Sequence, residues 1–384
     1  MASVKQRTIQ KIIDRKIQEF IYEIEEKKSW DLKDLYLNIS DTSKNMKFIK
    51  KTIIDNFKIM INKVYTLNEK AATFKAREYN DTIKALNEYD GDINSLEDVE
   101  KILINYGKKN PTKTLKKIDE IIRTGTLKEA EEAKKNPLII SVNNLTKIYG
   151  IGYKKAIDLY NKYKIVTISD LQIKFNMDKS IIHGKQQIGL KYFDDLNKRI
   201  PRAEIMVYEK TLLEYAKKID LNIKLSINGS YRREQETSGD IDVLITSDKD
   251  VSKLRIKFID YLKQQNIIVE TLANGAKKFM GIIKLAEFSI FRHIDIIETT
   301  QESFPFGILY FTGSGGFNTK MRQEALNLGY SLNEYGFTYK TTKKPVIESD
   351  IIDRIGKSSF TSEQDIFRFL NMKYILPINR LNLN

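Results

Sequence analysis

Twenty residues, INGSYRREQETSGDIDVLIT (227–246), limit what this chain can fold into more than any other stretch. A β-branched run ends at Ile227, and Gly229-Ser230 then turns the chain into a short helix. Glycine lets the backbone approach a ligand closely, Ser230 has a hydroxyl to donate, and the amides at a helix start suit a phosphate. Arg232 and Arg233 follow, and the forked guanidinium of at least one is placed to reach a triphosphate. Gly239 leads into Asp240-Ile241-Asp242. Side chains alternate along a strand, so the two carboxylates share one face while Ile241, Val243 and Ile245 point into the core. Two like charges on one face repel unless cations lie between them. An isolated Asp-x-Asp is more often an exposed strand edge with two solvated acids. The Gly-Ser element before it moves the reading towards a metal-dependent phosphate site.

A third acid stands in FRHIDIIE. The same alternation puts His293 and Asp295 on one face and Ile294 and Ile296 on the other. From a neighbouring strand, Asp295 would complete a set of three carboxylates able to hold two Mg2+ ions roughly 3.5–4 Å apart. One ion would activate an attacking hydroxyl and the other would hold a triphosphate, which is the chemistry of nucleotidyl transfer. Composition agrees by exclusion. With no cysteine and only His183 and His293, disulfides, thiolate zinc, cysteine nucleophiles and multi-histidine metal sites are ruled out. A catalytic metal must sit on carboxylates, which favours Mg2+, with Mn2+ as a substitute. The formal net charge of +14 fits a polyanionic partner or a solvated lysine-rich surface, and charge alone leaves both open. No apolar run approaches the roughly 20 residues of a membrane span. The start, MASVKQRTIQKIIDRK, has no secretory apolar region. The expectation is a soluble intracellular protein.

The chain reads as helical first and sheet-containing second. Ile9, Ile12, Ile13, Ile17, Phe20, Ile21 and Ile24 form one helical stripe, on a helix that packs on its own domain or binds a partner. Leu96–Leu103 and Leu115–Ile122 are amphipathic helices, with Gly125 as a stop. Pro137 breaks the pattern, and Pro201 ends a later helical stretch. After about Leu221, strands are expected at Lys224–Ile227, Ile241–Thr246, Ile267–Thr271 and Ile290–Ile297, with a helix over Val251–Lys263. This is an α+β pattern with a mixed sheet, and the tail closes on a helix at Ser362–Met372.

Several blocks resemble the family X DNA polymerases, DNA polymerase beta in particular: LTKIYGIGYKKA, QQIGLKYFDDLNKRIPRAEI, GSYRREQETSGDIDVL, RHIDI, GILYFTGSGGFNTKMRQEAL and GYSLNEYGF. They fall in the family's order and spacing from about residue 66 to near the C-terminus. Residues 1–65 lie outside the resemblance and read as a helical extension of unknown role; the resemblance implies a lyase-like helical domain over 66–136 and a helix–hairpin–helix subdomain over 137–203. A catalytic nucleotidyltransferase palm over 204–301 and a small α/β nucleotide-selection subdomain over 302–384 follow.

By the same resemblance Asp240, Asp242 and Asp295 are the metal ligands, and Ser230, Arg233, Gly239 and Arg202 contact the triphosphate. Tyr310, Phe311 and Gly313 lie under the incoming sugar, where aromatic bulk excludes a ribose 2′-hydroxyl. Asn318 reads the incoming base, Arg322 contacts the template side, and Asn333, Glu334 and Tyr335 support it. Gly150 and Gly152 let the hairpin approach a DNA backbone without reading sequence. Main-chain carbonyls of Thr146, Ile148 and Ile151 hold a monovalent cation, Na+ or K+. Lys117 takes the Schiff-base position of a 5′-deoxyribose-phosphate lyase, with Lys75, Tyr79 and Lys113 as phosphate contacts. A lysine nucleophile needs nearby cations and partial burial.

Departures from the family accompany these matches. GKKNPTK replaces the lyase hairpin, His293 stands where arginine is usual, and Gly315 and Thr319 replace base-stacking residues. The last two predict lower fidelity than in close relatives. The implied activity is template-dependent filling of short gaps in base excision repair. The alternative is a template-independent terminal transferase or an end-joining polymerase. Gapped or nicked DNA and deoxynucleotides are the expected partners of a monomer that works in the nucleus or in a viral replication compartment.

Overall fold

The computed structural model describes residues 32–380 other than 68–70, 90, 92, 94 and 109, with only the backbone of 32–48. The stripe Ile9–Ile24 lies outside the described residues. Residues 1–51 and 52–384 are separate units. Of the first, the described part is helical from Leu32 onward.

Helix α1 (Leu32–Thr66) buries Ile53, Phe57, Met60, Ile61 and Val64, spaced three and four residues apart as a helix face requires. Helix α2 (Ala72–Glu88) buries Ala76, Tyr79, Ile83 and Leu86 at the same spacing, and the Phe57 and Tyr79 rings meet at 5.0 Å. Helices α3 (Leu96–Asn105), α4 (Thr112–Thr124) and α5 (Lys128–Ala133) complete the bundle. Ser95 and Asp98 form a reciprocal cap on α3, and Gly125 ends α4 at φ +75°. The last turns of α1 are thus part of this bundle, on the far side of a boundary drawn at residue 65.

Pro137 opens α6 (Pro137–Leu145) rather than breaking a helix: it fills the first helical position after the Asn136 cap, where its missing N–H costs nothing. Gly150 turns the chain at φ +84° into α7 (Tyr153–Tyr163), followed by α8 (Ile168–Met177), α9 (Lys185–Lys191) and α10 (Phe193–Leu196). Val142, Leu145, Ile148, Ile151 and Leu159 share one core across the hairpin.

Pro201 likewise sits in a two-residue strand, β1 (Ile200–Pro201), and leads into α11 (Arg202–Ile219). The main sheet comprises β2 (Lys224–Ile227), β4 (Ile241–Thr246), β7 (Arg292–Glu298), β6 (Lys278–Ile283) and β5 (Ile268–Asn274), in that spatial order. The short α12 (Gly229–Arg232) and β3 (Thr237–Ser238), which pairs with β1, lie between β2 and β4. Only β4 and β7 run parallel, so the sheet is mixed. Ile241, Val243, Ile245, Ile294 and Ile296 bury one face against α11 and α13 (Val251–Gln264) through Tyr208, Leu212, Phe258 and Leu262.

The last region has α14 (Phe304–Thr312), α15 (Gly315–Asn327), the hairpin β8 (Tyr330–Asn333) and β9 (Gly336–Tyr339), α16 (Glu348–Ile355) and α17 (Glu363–Phe369). Its core is a cluster of aromatic rings including Phe306, Phe317, Phe337, Phe367 and Phe369.

Candidate active site

The parallel pairing of β4 and β7 sets Asp242 directly opposite Asp295. Asp240 lies two residues earlier, just before β4 begins. The expected alternation holds: isoleucines enter the core and the acids share the other face. Asp295 is buried. Its Oδ2 accepts from Lys278 Nζ at 2.6 Å, and its Oδ1 has no hydrogen-bond donor. Burial, then the neighbouring Asp240 and Asp295, push Asp242 up to about 7. Asp240 is also raised, by burial first and by Asp295, against the opposing pull of His293. A site that makes carboxylates this uncomfortable is one that cations would relieve. Among the described residues no three acids or histidines are yet arranged to hold a metal ion together; Lys278 takes one oxygen of Asp295.

The Gly229-Ser230 loop is fixed to the same strand. Asn228 N–H donates to Asp242 O at 2.8 Å. Gly229 has φ +62°, and a Cβ there would stand 3.1 Å from Asp242 Oδ2, so only glycine fits. Ser230 Oγ donates to Ser238 Oγ at 2.9 Å. The two arginines divide their work. Arg232 forks onto Glu363 at 3.1 and 2.6 Å and also donates to Thr312, so it ties the sheet region to the C-terminal region. Arg233 donates to Thr312 O, and its buried Nε keeps an unused N–H. Burial lowers its affinity for the proton. Arg202 donates to Tyr231 O at 2.6 Å and lies 4.4 Å from the Tyr231 ring, so local structure engages it. Gly239 passes beside Arg199, whose Nη1 lies 3.3 Å from an ideal Cβ.

On the C-terminal side, Asn318 donates to Tyr310 O at 2.8 Å. The Arg322 guanidinium lies 5.1 Å from the Tyr310 ring, and Phe311 meets that ring edge-on at 5.1 Å. Gly313 has φ +64° and a cis bond to Ser314, which caps α15. The structure therefore joins Tyr310, Phe311, Asn318 and Arg322. Tyr335 stands apart from them, exposed on the β8–β9 turn with Lys277 over its ring.

The hairpin faces the acids. One cleft of about 650 Å3 has Thr146, Ile148 and Ile151 on one wall and Gly239, Asp240 and His293 on the other. The Ile148 carbonyl also accepts from Ile151 N–H at 3.0 Å. Gly150 packs on the backbone of Lys185 and Gln186, whereas Gly152 faces open space. His293 stacks at 5.8 Å from Tyr149, and its buried Nε2, 3.8 Å from Asp295 Oδ1, has no hydrogen-bond partner.

The lyase-like residues are less convergent. Lys113 and Lys117 lie one turn apart on α4, and Lys75 is exposed on α2. Tyr79 is core, packed on Phe57, because the α2 periodicity turns it inward. Lys117 donates to Glu129, which also accepts from Lys63 at 2.6 Å. Burial raises the Glu129 carboxyl, but hydrogen bonds from Lys117 and Lys63 outweigh it and hold the group low. The group in direct contact with Lys117 is thus an anion, where the resemblance implied cations.

Sequence reading missed Lys278, Glu129 and Glu363. Lys278 lies on β6, whose pattern is broken by Gly281. The other two gain their partners only through packing.

Strand-borne acids beside a glycine-serine loop are the arrangement that metal-dependent nucleotidyl transfer calls for. The DNA polymerase beta palm model matches residues 199–301, the DNA polymerase beta thumb model residues 307–381, and the fingers domain of DNA polymerase lambda residues 143–197. DNA polymerase lambda of Arabidopsis thaliana is 28% identical over 279 residues, 68% of this chain and 50% of that protein. The rat enzyme of the same name is 28% identical over 275 residues, 69% of this chain and 46% of that protein. The chain belongs to the family X DNA polymerases and spans about half the length of the curated relatives it matches.

Proposed function

We propose that this chain is a template-dependent DNA polymerase that fills short gaps during repair. The observation that carries the reading is the side-by-side register of Asp242 and Asp295, with Asp240 on the same face. The donor set fits divalent metal: all candidate ligands are carboxylates, and Asp295 Oδ1 is a buried acceptor without a donor. Asp240, Asp242 and Asp295 would hold two Mg2+ ions. Metal held there would supply a lowered pKa for a primer 3′-hydroxyl and charge neutralisation for the triphosphate and the departing pyrophosphate.

The rest falls to the chain itself. Ser230 and Gly239 offer donors to the triphosphate, and Arg233 offers its spare N–H. Arg202 steadies the loop through Tyr231. Tyr310, Phe311 and Gly313 floor the sugar site, and Asn318 meets the base edge. The hairpin around Gly150 and Gly152 grips the DNA backbone across the cleft from Asp240, and the carbonyls of Thr146, Ile148 and Ile151 suit Na+ or K+. Relatives in a plant and an animal favour the nuclear setting.

Asp295→Ala should abolish extension of a primer in gapped duplex while DNA binding stays within about twofold. Extension that persists in that variant refutes the reading. Omitting the template strand separates it from a terminal transferase, because gap filling then stops.

Lyase chemistry at Lys117 is a distinct step. Borohydride should trap a covalent adduct with an incised abasic site, and Lys117→Ala should remove it. Absence of an adduct leaves the bundle as a gap-binding module.

A further inference from the structure

Glu88 is the last residue of α2, in the N-terminal bundle. Its two carboxylate oxygens accept from the backbone amides of Gly315 and Gly316 at 2.8 and 2.7 Å. Those amides open α15, the helix that carries Asn318 and Arg322. The first amides of a helix have no partner within it and bear its partial positive charge, so a carboxylate suits them. The contact joins residues 227 positions apart.

The surroundings show that the space belongs to this side chain. A Cβ on Gly315 would stand 3.0 Å from Glu88 Oε1 and 3.5 Å from the Tyr106 hydroxyl. Any side chain at 315 would therefore compete with Glu88. The charge of Glu88 also reaches Arg233, where it opposes the effect of burial. Beside the contact lies a cleft of about 590 Å3. Tyr310, Asn318 and Arg322 line one side, and Arg77, Tyr106 and Lys108 from the bundle line the other.

We propose that Glu88 is a nucleotide-positioning residue: it supplies, from the N-terminal bundle, the wall that Gly315 leaves open at the start of the nucleotide-selection helix. By holding the first turn of α15, it fixes where Asn318 meets the incoming base. The absence of a side chain at 315, which in the sequence signals weak base checking, is made good by a residue from another part of the fold. This inference rests on the polymerase reading above.

The test combines single-nucleotide gap filling with a cross-link. Glu88→Ala should raise KM for the correct nucleotide about fivefold, the size expected of a helix-terminus charge, with kcat within about twofold. Discrimination against the wrong nucleotide should fall. Glu88→Asp should recover part of the loss, and Gly315→Ala should copy Glu88→Ala. The double variant should be no worse than either single one. A variant with a lower melting temperature and an unchanged KM would reduce Glu88 to a stabilising cap and overturn the proposal.

Because the chain has no cysteine, a Glu88→Cys, Gly315→Cys pair can be bridged by a short bifunctional thiol reagent and read without ambiguity by mass. The cross-link should form without nucleotide, and failure to form it overturns the contact. If the wild type incorporates nothing, the polymerase reading falls and takes this one with it. If the wild type incorporates and Glu88→Ala keeps its KM, only this proposal falls.

Discussion

Asp295 gives one oxygen to Lys278 and keeps the other unmatched, whereas Asp365 is satisfied on every side. Asp365 is fully buried, accepts from the amides of Thr361 and Ser362, and pairs with Lys357 at 2.7 Å. Burial raises its carboxyl, but the Lys357 and Thr361 hydrogen bonds prevail and hold it at about 2. The folded value lies below the ordinary one, so the group stabilises the fold above about pH 4. That contribution, about 2 kcal/mol, is lost as pH falls from about 4 to about 2. Asp365→Asn should lower the melting temperature at neutral pH and flatten its fall in acid. An unchanged acid profile would show that other carboxylates carry the transition. The three aspartates were legible in sequence because strand alternation is a local rule. Lys278 was not, since its role depends on β6 lying next to β7.

At the scale of elements, the prolines and glycines mattered more than hydrophobic pattern. Pro137 and Pro201 read as breaks, yet Pro137 begins a helix and Pro201 stands just before one, because proline is tolerated where the N–H has no partner. β6 escaped notice because Gly281 interrupts its alternation; a Cβ there would lie 2.9 Å from Glu270 O. Gly189 on α9 is a sharper case. A Cβ there would sit 2.0 Å from Tyr149 O, so the hairpin can close on α9 only over glycine. Gly189→Ala should destabilise the protein by about 1–3 kcal/mol, the usual range for overpacking. It should also weaken binding to gapped duplex, because the displaced hairpin faces Asp240. Calorimetry and a binding titration check this, and unchanged binding would separate the hairpin from the DNA path.

For the whole molecule the relevant quantity is the net charge of +14. If lysines and arginines track a DNA backbone, affinity for gapped duplex should fall on the order of 10³-fold between 50 and 200 mM salt. A shallow slope would mark them as a solvated surface. Among the described residues no helix is long and apolar enough to cross a membrane.

The sequence by itself determined the shared strand face of the acids, the glycine-serine turn, the mixed sheet and the order of helices before sheet, since these follow from short-range periodicity and turn chemistry. Only the tertiary structure decided which partners complete them: Lys278 on Asp295, Glu363 on Arg232, Glu129 on Lys117 and Glu88 on the start of α15. Each joins polar groups from separate elements. Such pairs leave no periodic trace, because nothing in the local sequence fixes where a distant side chain will end.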